Sequence, residues 1–312
     1  MKALVTGGAG FIGSNLVDRL LAEDHQVDVI DDLSSGSLAN LADARAGRTK
    51  RLSFHQVDVR DAGVVELIER RRPDVVFHLA ARDPIGELAP EDVVDDAEVA
   101  VVGSLRVLEG ARRAGSTKVV AASNASIYRP PTGSELPLRE SHPQHPVDPD
   151  GVARKAVADY LAVFRERHEL EFTALALANV YGPRQRSGVV AELVERVVAG
   201  ERCTIDGDGL QTRDFVFVDD VVDAFVRAAE RGSGLVVNVG TGIETSVNDL
   251  HDALQLAAGG SEGVAVERRP ARAGRVPRLA LDPGRARIHL GWTPWTDLAD
   301  GLVQTVESRR AT

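Results

Sequence analysis

The sequence predicts an α/β chain, a doubly wound parallel sheet with a smaller C-terminal lobe. Three observations carry that reading. Apolar runs alternate with helical patterns through the first half, the first run breaks into a glycine-rich turn, and the second ends in paired aspartates. Strands are expected near 2–6, 26–31, 52–58, 74–79 and 118–122, and helices near 12–23, 61–72, 92–113 and 152–168.

Lys2-Ala3-Leu4-Val5-Thr6 is the first strand, and it runs into Gly7-Gly8-Ala9-Gly10-Phe11-Ile12-Gly13. Glycines at 7, 10 and 13 let backbone N–H groups approach a pyrophosphate at the positive end of the next helix. Gly7, Gly10, Phe11, Ile12 and Gly13 are therefore the expected dinucleotide contacts of a Rossmann-type domain. The second strand, Val27 to Ile30, ends in Asp31 and Asp32, about twenty residues beyond the loop. A carboxylate there hydrogen-bonds ribose hydroxyls and repels a 2′-phosphate, which favours NAD over NADP. The competing reading has Asp31 open a polar turn before Ser34-Ser35-Gly36.

Asp58 closes the third strand, placed either to reach an adenine edge or to cap the helix from Asp61. Arg72-Pro73-Asp74 stops that helix, and Val75-Val76-Phe77 begins a buried strand. Thr173 to Ala178 completes the sheet, after which Pro- and Gly-rich loops at 182–188 and 206–213 interrupt helices near 189–199 and 219–231. A strand at 235–239, a helix near 247–258, the basic stretch Arg268 to Arg278 and a terminal helix after Leu290-Gly291-Trp292-Thr293-Pro294 finish the chain. The expected division is a dinucleotide-binding domain at 1–181, with some later segments returning to it, and a mainly substrate-binding lobe at 182–312.

A length of 312 residues allows a large core, and the net charge of -10 argues against a general nucleic-acid binder. The single cysteine, Cys203, forms no intrachain disulfide and leaves no zinc-ligand spacing; it reads as a buried small apolar residue. No apolar run approaches membrane-spanning length, and a cytoplasmic setting is expected. Lysine chemistry could draw only on Lys2, Lys50, Lys118 and Lys155.

With these motifs the chain resembles the extended short-chain dehydrogenase/reductases, in particular the nucleotide-sugar epimerases and dehydratases of the UDP-glucose 4-epimerase type. Besides the glycine loop and Asp31, the likeness rests on His78-Leu79-Ala80-Ala81, Asn179-Val180-Tyr181-Gly182-Pro183-Arg184-Gln185, Gly207-Asp208-Gly209 with Arg213-Asp214-Phe215, Asp219-Asp220-Val221, and Asn238-Val239-Gly240-Thr241-Gly242. The resemblance implies further NAD contacts from Val59, Leu79, Ala80 and Ala81. It also implies that Asn179 and Arg213 touch a nucleotide-sugar and that Arg272 holds its diphosphate, although Arg275 stands where the family usually carries an acid. Homodimerisation through the helices near 92–113 and 152–168 is a further implication, with Val99, Val102, Val157 and Leu161 either packing there or facing the sheet.

The family's Tyr-x-x-x-Lys is missing. An ungapped register puts Asp150 and Arg154 in its place, while a shift of one residue keeps Lys155 but sets Gly151 at the tyrosine position. Asn124 replaces the usual Ser or Thr four residues before Tyr128, Ala100 replaces a helical asparagine, and Ala178 replaces a bulky aromatic. Three readings follow. Asp150 acts as the base beside Arg154; or Tyr128, His142 or His145 is recruited; or the chain binds NAD in a regulatory or assembly role, with Asp150 capping a helix from Val152. The expected catalytic set is thus Asp150, Arg154, Asn124, Lys155 and Tyr128, in an atypical NAD-dependent epimerase/dehydratase-type enzyme passing through a keto-sugar.

Overall fold

The computed structural model describes residues 1–47, 51–82, 92–260, 264–271 and 276–311. β1 (Lys2–Thr6), α1 (Phe11–Ala22), β2 (Gln26–Asp31), α2 (Ala42–Ala46), β3 (Leu52–Gln56), α3 (Gly63–Arg71) and β4 (Val75–His78) open the chain. α4 (Asp92–Ala97), α5 (Ser104–Ala114), β5 (Lys118–Asn124), α6 (Pro149–His168) and β6 (Glu171–Leu177) follow. The remainder is β7 (Asn179–Tyr181), α7 (Val189–Ala199), β8 (Cys203–Asp206), β9 (Thr212–Arg213), β10 (Phe215–Phe217), α8 (Val218–Glu230), β11 (Leu235–Val239), β12 (Thr245–Ser246), α9 (Val247–Ala257), β13 (Val266–Arg269), α10 (Gly284–His289) and α11 (Leu298–Arg310).

Seven strands form one parallel sheet in the order β11-β6-β5-β4-β1-β2-β3. Ala3, Leu4 and Val5 are buried without alternation because helices cover both faces. Leu16, Val17 and Leu20 of α1 pack with Val221 and Phe225 of α8 on one side; Val64 and Ile68 of α3, Val107 and Leu108 of α5 and Leu161 of α6 fill the other. The strand order reverses between β1 and β4, the switch point outside which ligands of such sheets bind. Three pairs of short strands, β7 with β10, β9 with β12 and β8 with β13, frame the later part of the chain. Cys203 is buried in β8.

Two expectations need correction. The helix expected over 92–113 is broken by a π-helical segment, Glu98–Gly103, which brings Gly103 so close to Val59 that a Cβ would lie 2.7 Å from Val59 Cγ2. α6 begins at Pro149, not Val152, and its cap is Asp148, whose side chain accepts from Gly151 N at 2.7 Å. Asp150 is therefore no helix cap. Asp58 does not cap α3 either, which starts at Gly63 after Ala62.

Candidate functional site

The glycine turn is built by close backbone approach. Gly7 has φ +69, and a Cβ on Gly13 would sit 2.1 Å from Gly7 O, so the start of α1 can lie on the turn only with glycine there. The residue capping α1 is Gly10, which leaves the first-turn N–H groups beside half-buried Phe11 and Ile12 directed at an anion. Asp31 is buried, and its two carboxylate oxygens accept from Ala9 N at 2.9 Å and Leu33 N at 2.8 Å. It thus ties the glycine turn to the loop after β2, while each oxygen retains a second lone pair for a ribose hydroxyl. Burial raises its pKa against those two bonds. Asp32 accepts from Ser34 N and Oγ on the surface.

Asp58 is gripped by Arg60, whose Nη2 lies 2.7 Å from Oδ2 and whose N–H donates at 2.8 Å; those bonds hold the carboxyl below the usual range. Val59 is buried beneath Gly103. Leu79, Ala80 and Ala81 follow β4 over the turn, with Leu79 N donating to Thr6 O at 3.1 Å and Ala80 N to Thr6 Oγ1 at 3.2 Å.

Under that crossing runs a buried relay: Thr6 Oγ1 lies 2.7 Å from His78 Nδ1, His78 Nε2 lies 2.7 Å from Ser104 Oγ, and Ser104 donates to Ala100 O. Because Ser104 gives its proton to Ala100, it accepts from Nε2–H; Nδ1 then accepts from Thr6, which fixes the tautomer. Burial, aided by the Arg154 charge, pushes the imidazole down to about 4, so it is neutral.

The second cluster lies where β5 meets α6. Asn124 Nδ2 donates to Asp150 Oδ2 at 2.8 Å, Ser126 Oγ reaches the same oxygen at 3.0 Å, and Arg154 Nε donates to Oδ1 at 3.0 Å. Burial works to raise the Asp150 pKa, but the Arg154 charge and the bonds from Asn124, Arg154 and Ser126 outweigh it and leave the carboxyl depressed. Asp150 and Arg154 thus sit together against Asn124 at the end of β5. Lys155 turns away, pairing with Asp159 at 2.6 Å on the exposed flank. Gly151 is enclosed, since a Cβ would meet Ser126 O at 2.3 Å.

Tyr128 is not brought into this cluster. It is buried, its hydroxyl donates to Asn238 Oδ1 at 2.7 Å, and burial followed by the Glu140 charge raises its pKa, the opposite of an activated phenol. His142 packs edge-on against that ring and contacts Arg129 O at 3.1 Å, and His145 is exposed. Sequence reasoning missed Asp96. This aspartate of α4 is buried, and it feels the charges of both Asp150 and Arg154.

Asn179 N donates to Asp214 O at 2.9 Å, which places Asn179 beside the residue after Arg213. Buried Asp214 accepts from Thr241 Oγ1 at 2.6 Å, Gly242 N at 3.0 Å and Leu281 N at 3.1 Å, so one carboxylate pins the 241–242 loop and the segment at Leu281 behind Arg213. Arg213 Nη1 donates to Thr212 O at 2.7 Å. Arg272 and Arg275 lie outside the described residues. Among the described residues, no group of three His, Cys, Asp or Glu side chains could hold a metal ion, and no helix is long and apolar enough to cross a membrane.

Residues 3–240 match the family of that glycine turn and sheet order, described as NAD dependent epimerase/dehydratase. The chain belongs to the NAD dependent epimerase/dehydratase family. Among relatives of this epimerase/dehydratase, a UDP-glucose 4-epimerase of Mycolicibacterium smegmatis is 45% identical over 313 residues, 98% of each chain. The UDP-glucose 4-epimerase of Thermotoga maritima, solved with UDP-glucose, has a TM-score of 0.91 at 38% identity over 100% of this chain and 99% of that one. The Thermus thermophilus UDP-glucose 4-epimerase in complex with NAD has a TM-score of 0.91 at 35% identity over 100% of both.

NAD is the cofactor of this family member, and the glycine turn fits it: a Cβ on Gly7 would strike Ala80 N at 2.9 Å, and Asp31 fastens the turn through Ala9 N. When bound, NAD supplies a hydride acceptor and donor. The chain's own residues bind, orient and handle protons.

Proposed function

We propose that this family member is an NAD-dependent epimerase/dehydratase-type enzyme acting on a nucleotide-sugar, with an unusual proton-handling site and a transient keto-sugar. The observation that carries it is the joining of Asn124, Ser126, Asp150 and Arg154 at the end of β5, beside the cofactor loop. In this reading Asp150 is the anion toward which a sugar hydroxyl is oriented. Arg154 supplies the positive charge that a lysine gives in relatives, and Asn124 fixes the carboxylate. Asn179 and Arg213 belong to the substrate side, with the 182–312 segment forming most of that lobe, and Arg272 is assigned to the diphosphate. The setting is the cytoplasm, in keeping with a single cysteine.

The test is to mix NAD-loaded protein with several nucleotide-sugars and follow NADH absorbance and product. A transient signal with conversion supports the reading. For the Asp150→Asn variant, turnover is expected to fall by roughly 100-fold; unchanged turnover in a folded variant removes Asp150 from the chemistry. A second reading, a binding-only NAD protein, is favoured by one feature: Asp150 already accepts from three donors and stays depressed. Tight sugar-nucleotide binding with neither NADH nor product selects it.

The same reading includes a homodimer. Val157 and Leu161 face the core, whereas Val94, Val102, Val152, Tyr160 and Val163 are exposed apolar residues on α4, the π-helical segment and α6. Light scattering is expected to give twice the chain mass, and Val102→Glu to give the monomer.

A further inference from the structure

We infer that Glu244 is a positioning residue for Arg213, holding that guanidinium ready for a nucleoside diphosphate through a clamp on Thr212 and Arg278. The clamp joins three separate stretches of chain. β9 and β12 pair antiparallel, which sets Thr245 opposite Arg213 and Ser246 opposite Thr212. On the other flank Thr212 pairs in parallel with Arg278, and Thr212 N donates to Pro277 O at 2.9 Å. A pair of two-residue strands is marginal alone, so side chains carry the join.

Glu244 is the side chain that reaches all of it. Its Oε2 accepts from Thr212 Oγ1 at 2.6 Å and from Arg278 Nε at 2.8 Å, while its Oε1 accepts from Arg278 Nη2 at 2.5 Å. The two-pronged contact with Arg278 fixes direction as well as distance. Those Arg278 bonds, helped by Thr212, hold the Glu244 carboxyl below the usual range, so the clamp stays charged at neutral pH.

Arg213 leans on what the clamp holds. Its Nη1 donates to Thr212 O at 2.7 Å and reaches Pro277 O at 3.5 Å. Thr212 is bonded to Glu244 directly, and Pro277 precedes Arg278. The backbone beside Arg213 is fastened independently, by Asp214 to Thr241 and Gly242. Removing the Glu244 carboxylate therefore leaves that strand in place and frees the head of Arg213. A guanidinium already held loses less rotamer freedom when a ligand binds, which strengthens binding without touching the hydride or proton steps. The consequence for substrate rests on the nucleotide-sugar reading above, whereas the clamp on Arg213 does not.

Calorimetric titration of the NAD-loaded protein with UDP tests the consequence. Glu244→Ala is expected to weaken UDP binding roughly 3- to 10-fold, Arg278→Ala to do the same, and the double variant to lose no more than either. Glu244→Gln fills the same space without the charge and should show the loss with an unchanged thermal melt. In an Arg213→Ala background, Glu244→Ala should cost nothing further. Native affinity in Glu244→Ala and Glu244→Gln, or an equal loss in the Arg213→Ala background, overturns the proposal and leaves the functional reading intact. In turnover, KM should rise by the same factor with kcat unchanged; a fall in kcat alone counts against it. Nitrogen-15 NMR of the arginine side chains tests the clamp with no ligand. The Arg213 signal, identified by its loss in Arg213→Lys, should show hindered guanidinium rotation in the native protein and free rotation in Glu244→Gln; hindered rotation in both overturns the clamp. If neither UDP nor another nucleoside diphosphate binds the native protein, the functional reading falls and the NMR still decides whether Glu244 fixes Arg213.

Discussion

The glycine turn at the head of α1 and the corner where β5 meets α6 lie at strand ends of one sheet with β4 between them, and they are made of different material. The turn is largely backbone: Gly13 lies against Gly7 O, and the side chains of Asp31 and Asn40 tie it to the loop after β2. The corner is side chain: Asn124, Ser126, Asp150 and Arg154 hold one another. A site made of backbone tolerates few residue types at its glycines. One made of side chains can be rebuilt by exchanging partners.

That contrast breaks first at Gly13. Gly13→Val should abolish NAD binding and destabilise the fold by about 4 kcal/mol, read by calorimetric titration and thermal melting; retained binding would show that the turn relaxes. Next comes the buried relay beneath the glycine turn. His78 titrates at about 4 when folded, below the ordinary histidine pKa of ~6.5, so the unfolded chain binds the extra proton. Stability should be full above about pH 6.5 and fall by about 3 kcal/mol as pH drops toward the folded value. Urea melts across that window check it, and His78→Asn should flatten the slope.

Smaller effects sharpen the corner itself. Tyr128→Phe should cost about 1–2 kcal/mol, because Asn238 Oδ1 loses its buried donor, and leave turnover unchanged. A large loss of turnover without loss of stability would return Tyr128 to the chemistry. Smallest of all is Lys155→Met, expected to change stability by less than about 0.5 kcal/mol and turnover not at all, since its Asp159 pair is exposed. A catalytic defect there would revive the shifted register.

How much of this was legible follows from the same contrast. Glycine spacing, the Asp31 offset and uninterrupted apolar strands mark the backbone site and the parallel sheet directly. β9, β10 and β12 are two or three residues long, too short to show a period. Asp148 and Asp150 flank Pro149, and only the rule that proline favours the first helical turn points to Asp148 as the cap. Asp95 and Asp96 read alike in sequence. Which one is buried depends on how α4 lies on α6, and the π-helical segment changes the phase that a regular helix would give.

Asp31, proposed to read the ribose, is also the latch between two loops: its two oxygens hold Ala9 N and Leu33 N. Redesign of this chain toward NADP therefore cannot be a swap of charge alone: removing Asp31 unfastens the turn that must hold the new cofactor, and any successful variant has to re-tie it from elsewhere.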